Sequence, residues 1–278
     1  MTTLSASLRR LYLDPADYVD SEHPDVQRYA HAVLAGKDDP RDKVHAIYHA
    51  VRDDIRYDPY VDYRDPETFR ASTVLAARRG YCVGKASLFA ALCRIAGVPA
   101  RLGFADVKNH LATPKLIEAM GTDLFAWHGY SEVYFDGEWL KVTPTFNASL
   151  CEKLGVEPLD FDGRTDALLH PFDAAGRTFM AYVEDHGSFH DVPVKFLMRE
   201  MARLYPGMMH DKSPAATWSA RQAPPERECS AACETAHEEA GNPCIRAVTV
   251  SSRHPSQAFA PPGPAGLFCN RKCNHAEK

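Results

Sequence analysis

The stretch "RRGYCVGKASLFAALCRIAGVPAR", from Arg78 to Arg101, predicts one nearly apolar helix with a cysteine at its start. Only Lys85, Ser87 and Arg94 interrupt the apolar surface, and a helix that is apolar almost all round lies inside a core. Free backbone N–H groups and the helix dipole at an N-terminus favour negative charge, so this position predicts a lowered pKa and a nucleophilic role for Cys82. The alternative is a small buried hydrophobic residue, the usual role of a free cysteine.

Composition places the chain among ordinary globular proteins. It has 278 residues, of which 45% are hydrophobic and 25% charged, which predicts one or two domains with a sizeable core. A net charge of -5 gives no broad attraction to nucleic acid or to an acidic membrane. No apolar run approaches the roughly 18 residues of a membrane span, and the start lacks a secretory apolar region. We therefore expect a cytoplasmic protein with neither nucleic acid nor membrane as partner; the oligomeric state is not indicated.

The cysteines also fit a reducing compartment. Eight cysteines in a chain of this length do not make a disulfide framework. Cys93, deep in the apolar helix, and Cys151 are predicted to be packing residues.

Helical patterns come first along the chain and strand patterns follow. Helices are predicted over 25–36, 38–59, 72–79 and from Cys82 to Gly97, and strands over 100–107, 126–135 and 138–146. Asp136-Gly137 between the last two strands is a strong two-residue hairpin signal. This order predicts an α+β fold in which a helical N-terminal part packs on an antiparallel sheet.

Three regions are predicted. Residues 1–39 form a helical segment packing on the core, 40–205 the core with a C-terminal extension, and 206–278 a tail. The tail has too few apolar side chains to offset chain entropy, so disorder is expected, although a zinc site or an out-of-frame extension are alternatives. Its potential ligands lack the CxxC spacing of zinc ribbons and fingers, so no metal is predicted; they are Cys229, Cys233, His237, Cys269, Cys273 and His275.

A thiol nucleophile needs a base to take its proton and a group to orient that base. His128 opens the strand pattern "HGYSEVY" and is the best candidate base. With Asp136-Gly137 as a two-residue turn, Thr145 falls opposite His128 and Thr143 lies diagonal to it. Both threonines are therefore expected within side-chain reach of the imidazole.

These stretches, Arg78–Arg101 followed by "WHGYSEVYFDGEWLKVTPTF", resemble the transglutaminase-like superfamily, whose core is shared with papain-like cysteine proteases. The resemblance covers roughly residues 40–147 and implies a cysteine at a helix N-terminus, a histidine opening a strand and an aspartate on the next strand. Cys82 and His128 match the first two positions, and Trp139 fits as well.

The third position departs from the family pattern. Thr143 stands where the family usually has aspartate before Pro-Thr. A threonine hydroxyl can accept the imidazole N–H but brings no charge to stabilise an imidazolium. Asn147 is an alternative orienting residue, because papain-like enzymes use asparagine in that role.

The residues and the resemblance together predict a cysteine-nucleophile enzyme acting on amide bonds as a peptidase, amidase or acyl transferase. The substrate would be a peptide or another amide-bearing molecule, and no cofactor is implied. The alternative is a catalytically inactive binding or scaffolding domain, which Thr143 favours.

A histidine pair and a long connection also stand out in the sequence. His45 and His49 are spaced four apart on one predicted helix, as metal ligands can be, but the sequence indicates no third ligand, so solvated histidines are expected. The connection from Lys108 to Trp127 is long and carries its own helix pattern. A connection of that kind is typical of a lid or a binding loop.

Overall fold

A computed structural model describes residues 3–109, 112–168 and 180–209. The helices are α1 Ala6–Leu11, α2 Pro24–Leu34, α3 Pro40–Asp54, α4 Ala71–Ala77, α5 Cys82–Ile95, α6 Pro114–Met120, α7 Ala148–Leu154 and α8 Val194–Leu204. The strands are β1 Arg56–Tyr57, β2 Arg79–Gly80, β3 Ala100–Asn109, β4 Leu124–Phe135, β5 Glu138–Val142 and β6 Met180–Phe189. Short 3₁₀ helices cover Pro66–Phe69 and Pro206–Met208.

The expected α+β fold is confirmed. Four antiparallel strands form one sheet in the order β5-β4-β3-β6, and β1 and β2 form a small parallel pair. Asp136 and Gly137 join β4 to β5 with φ of 51° and 97°, the two positive values that a type I′ turn requires. Glu132 consequently pairs with Lys141.

Helix α5 lies at the centre of the core, as its apolar pattern predicts. Every residue from Cys82 to Arg94 is buried, between the other helices and strands β3 and β4. Its buried charges are satisfied by backbone oxygens. Lys85 Nζ donates to the carbonyls of Arg52 (3.0 Å) and Ile55, at the C-terminal end of α3. The polar atoms therefore fasten α5 to its neighbours.

Helix α3 packs one apolar face on this core. Val44, Ile47, Tyr48, Val51 and the following Ile55 are fully buried. Their spacing is that of one helical face.

The ends of α4 differ from the sequence pattern. The helix begins at Ala71, one residue before the predicted start, and the N–H of Ser72 donates to Asp20 (3.0 Å). It ends at Ala77, where the predicted helix continued to residue 79, because Arg78 is left-handed with φ of 50°. Gly80 belongs to β2 and pairs with Tyr57.

None of the helices within the described ranges combines the length and the apolar character needed to cross a membrane. The predicted boundaries at residues 39 and 205 remain predictions. The predicted tail beyond Met209, with its cysteines and histidines, lies outside the described residues.

Candidate functional site

Cys82 and His128 line the same cleft. The cleft encloses about 500 Å³ of empty space including its mouth, and its walls are mostly aromatic and apolar. Tyr57, Tyr63 and Tyr81 form one part of the lining, and Phe125, Trp127, Met201, Tyr205 and Met208 form another. The fold therefore brings together the two residues that the sequence offers as nucleophile and base.

The sulfur of Cys82 lies where β4 crosses the N-terminus of α5. Backbone N–H groups of Gly129, Val83 and Cys82 itself lie near enough to the sulfur to favour a thiolate there. A Cβ at position 129 would lie 2.8 Å from Val83 Cα, closer than side chains tolerate. Only glycine allows β4 to approach the helix this closely, so Gly129 is a site residue that the sequence analysis missed.

Burial controls the protonation of the pair. It raises the pKa of the Cys82 thiol to about 11, although the three backbone N–H groups lower it. It also lowers the pKa of His128 to about 4. The expectation that the helix N-terminus lowers the thiol pKa is therefore wrong for this structure, because a 7% exposed thiolate loses most of its hydration. At neutral pH the pair is a thiol and a neutral imidazole.

Thr143 lies just beyond the end of β5, although the sequence pattern placed it within the strand. Strand β5 ends at Val142, where the sequence pattern extended it to Phe146. The N–H of Thr143 donates to the carbonyl of Ala167 (2.9 Å), and Pro144, the next residue, has no N–H to offer β4. Thr143 and Thr145 are both buried, at 2% and 1% exposure.

Three buried polar atoms lack a hydrogen-bond partner among the described residues. They are Nε2 of His128 and Oγ1 of both Thr143 and Thr145. An unpaired buried polar atom is costly, so such a group at one histidine marks a functional position more than a structural one.

The side chain of Asn147 forms hydrogen bonds with groups other than the imidazole of His128. Its side-chain oxygen accepts the N–H of Tyr57 (3.2 Å), and its side-chain nitrogen donates to Ser149 (2.8 Å). Asn147 therefore ties β1, and with it a wall of the cleft, to the start of α7.

Trp127 holds a strained backbone directly before His128. Its φ is 56°, uncommon for a residue with a side chain. Its N–H donates to Asp106 (2.9 Å), which also bonds His186 Nε2 (2.6 Å), and the His186 ring stacks on the indole at 4.0 Å. Strain of this kind costs about 1–3 kcal/mol and persists only where the surroundings hold it. Asp106 and His186 lie far from His128 in sequence, and no local sequence pattern indicates that they contact Trp127.

The connection from Lys108 to Trp127 contributes to the cleft wall. Leu116 and Met120 of α6 line the cleft. The Tyr205 hydroxyl accepts the N–H of Ala126 (2.6 Å) and donates to the carbonyl of Leu124 (2.9 Å), which fixes the start of β4. Residues from α8 onward were not expected at the site. Whether the connection acts as a lid stays a prediction.

Known proteins were compared with this chain. The sequence profile of the transglutaminase-like superfamily matches residues 27–144. A candidate cysteine protease from Cytophaga hutchinsonii shares 19% identity over 67% of this chain and 55% of its own, with a TM-score of 0.40. A candidate protease from Parabacteroides distasonis shares 18% identity over 49% of this chain and 25% of its own, with a TM-score of 0.32. A TGase shares 19% identity over 51% of this chain and 34% of its own, with a TM-score of 0.31.

This chain thus spans 25% to 55% of the length of these three structures. No curated protein matches the sequence.

Proposed function

We propose that the protein, in which residues 27–144 form a domain of the transglutaminase-like superfamily, is a cysteine-nucleophile enzyme acting on amide bonds. The observation that carries the proposal is the placement of Cys82 and His128 on one cleft, where Gly129 brings β4 close against the start of α5. A family fold alone would be weaker support, since folds host many functions.

The proposed reaction starts from the neutral pair. His128, unprotonated at neutral pH, takes the proton from Cys82 while the sulfur forms a bond to the carbonyl carbon of the amide. The carbonyl oxygen becomes an oxyanion, which the N–H groups at the start of α5 are suited to stabilise. The C–N bond then breaks, and His128 returns the proton to the leaving amine. The resulting thioester is released to water in hydrolysis or to a second amine in acyl transfer.

Thr143, at the position where the family usually has aspartate, affects the expected rate of turnover. An imidazolium at His128 forms only transiently, and the candidate orienting groups Thr143 and Thr145 bring hydroxyls without a charge. We therefore propose slower turnover than an aspartate at the same position would give.

The cleft wall indicates a substrate class. Its tyrosine, tryptophan, phenylalanine and methionine side chains favour apolar or aromatic groups beside the amide. We propose peptides with such side chains as substrates, and a cytoplasmic location that keeps the three described cysteines, all free thiols, reduced.

Acylation of the thiol tests the proposal. The full chain is incubated with a panel of peptide acyl electrophiles, and intact mass and peptide mapping locate the acyl group. We expect one acyl group on Cys82, no acylation in Cys82→Ala, and unchanged acylation in Cys151→Ala, the control at a thiol outside the cleft lining. Amide hydrolysis that persists in Cys82→Ala would refute the proposed nucleophile.

The second candidate function is a binding or scaffolding domain without turnover. Thr143 in place of aspartate and the low pKa of His128 favour it. Thr143→Asp distinguishes the two: amidase activity that appears only in the variant would assign the natural protein to the binding class.

A further inference from the structure

Three potential metal ligands converge outside the cleft. His45 and His49 lie one helical turn apart on α3, and Asp160 reaches them from the segment after α7. His49 Nε2 is 3.2 Å from His45 Nε2 and 3.0 Å from Asp160 Oδ1, and the three ligand atoms lie within 4.8 Å of one another. The sequence indicates no third ligand for the histidine pair, and the fold brings Asp160 to it.

A single hydrogen on His49 Nε2 can serve both close contacts only by being shared between them. A neutral imidazole nitrogen either carries one hydrogen or accepts one. If His49 Nε2 donates to Asp160, it cannot accept from His45; if it accepts from His45, its lone pair faces the carboxylate. A cation resolves the conflict, because all three atoms can then offer lone pairs to the same partner.

Two of the three separations fit a tetrahedral ion. Zinc binds imidazole nitrogen and carboxylate oxygen at about 2.0–2.2 Å, which places adjacent ligand atoms roughly 3.3 Å apart in a tetrahedron. The two measured contacts, 3.2 Å and 3.0 Å, lie close to that value.

Neighbouring contacts fix the segment that carries Asp160. The carbonyl of Leu159 accepts hydrogen bonds from the Tyr48 hydroxyl (2.7 Å) and from Arg52 Nη1 (2.8 Å), both on α3. Phe161, on the other side of Asp160, is fully buried. The carboxylate is therefore held over the helix face that presents the histidines, as preorganised sites require.

Arg52 lies one helical turn after His49 on α3. Arg52 is itself paired with Asp53 at 2.7 Å, which offsets its charge.

We propose that His45, His49 and Asp160 bind a divalent transition-metal ion of the zinc type, with water completing the coordination. The ion would fasten the segment after α7 to α3, the helix that leads into β1 and the cleft wall. None of the three residues belongs to the described lining of the cleft, so the site is distinct from the proposed catalytic pair.

Zinc titration of the full chain by isothermal calorimetry tests the proposal. Cysteines and histidines beyond residue 209 offer other ligands, so the wild type is compared with His45→Ala and Asp160→Asn. His31→Ala is the matched control, an exposed histidine on the neighbouring α2. We expect each ligand variant to lose one zinc equivalent, or to bind zinc at least tenfold more weakly at one site. The control should keep the stoichiometry and the affinity of the wild type.

Thermal unfolding supplies a second measurement. Zinc should raise the Tm of the wild type and of His31→Ala more than that of either ligand variant, because an ion that binds the folded state stabilises it. Equal stoichiometry, affinity and Tm shift in all four proteins would overturn the proposal. So would the absence of zinc binding by the wild type.

Discussion

Alkylation of Cys82 should accelerate about tenfold for each pH unit between pH 7 and pH 10. Iodoacetamide reacts with the thiolate, and the thiolate fraction rises tenfold per unit while the pH is below the pKa. Burial places the pKa of Cys82 at about 11, so the whole interval lies below it.

The magnitude follows from that value. A free cysteine with a pKa near 8.5 is roughly 3% thiolate at pH 7. With a pKa of about 11 the thiolate fraction of Cys82 is about 0.01%, some 300-fold less, equivalent to about 3 kcal/mol. Cys82 is 7% exposed, whereas Cys93 is fully buried and Cys151 is 2% exposed, so Cys82 should still be labelled before the other two.

His128 should contribute little to this rate. Its pKa of about 4 leaves it neutral above about pH 5, so it holds no positive charge beside the sulfur. His128→Ala should therefore change the rate of Cys82 alkylation at pH 7 by less than about threefold. A tenfold change would need the pKa of the thiol to shift by a whole unit.

The assay uses the native full chain at pH 6 to 10, with timed quenching and mass spectrometry of the Cys82 peptide. Urea-unfolded protein gives the rate of an unshielded thiol. A fast rate that is flat from pH 6 to pH 9, and that falls in His128→Ala, would show a resting thiolate–imidazolium pair and refute the reasoning from burial.

Three further changes probe the site. Gly129→Ala should cost about 1–3 kcal/mol in urea unfolding through overpacking and alter Cys82 labelling; unchanged values would show that the close approach of β4 is not required. Thr143→Asp should raise the pKa of His128 by about 1–3 units in an NMR titration, and an unshifted pKa would place the new carboxylate away from the imidazole. Asp106→Asn weakens the acceptor for the strained N–H before His128 and should cost about 1–3 kcal/mol in unfolding, a loss that a mere surface position would not show.

Features that depend on neighbours along the chain were predictable from the amino-acid pattern. The apolar pattern from Cys82 to Gly97 predicted the central helix, since a helix without a polar face has no stable place outside a core. Asp136-Gly137 predicted the hairpin because both turn residues need positive φ. That turn also sets the register of the two strands. Glu132 and Lys141 lie at equal distances along the chain from it and therefore pair.

Features that depend on burial and on contacts between distant segments required the folded structure. The pKa of Cys82 rises because β4 and the tyrosines of the cleft remove its water, a loss that outweighs the helix N-terminus. Thr143 leaves the ladder because its N–H goes to a carbonyl that local pattern does not predict. Asp160 meets His49 because the segment after α7 folds back on α3. Sequence patterns report local periodicity and turn chemistry, whereas desolvation and the meeting of distant side chains exist only once the chain has packed.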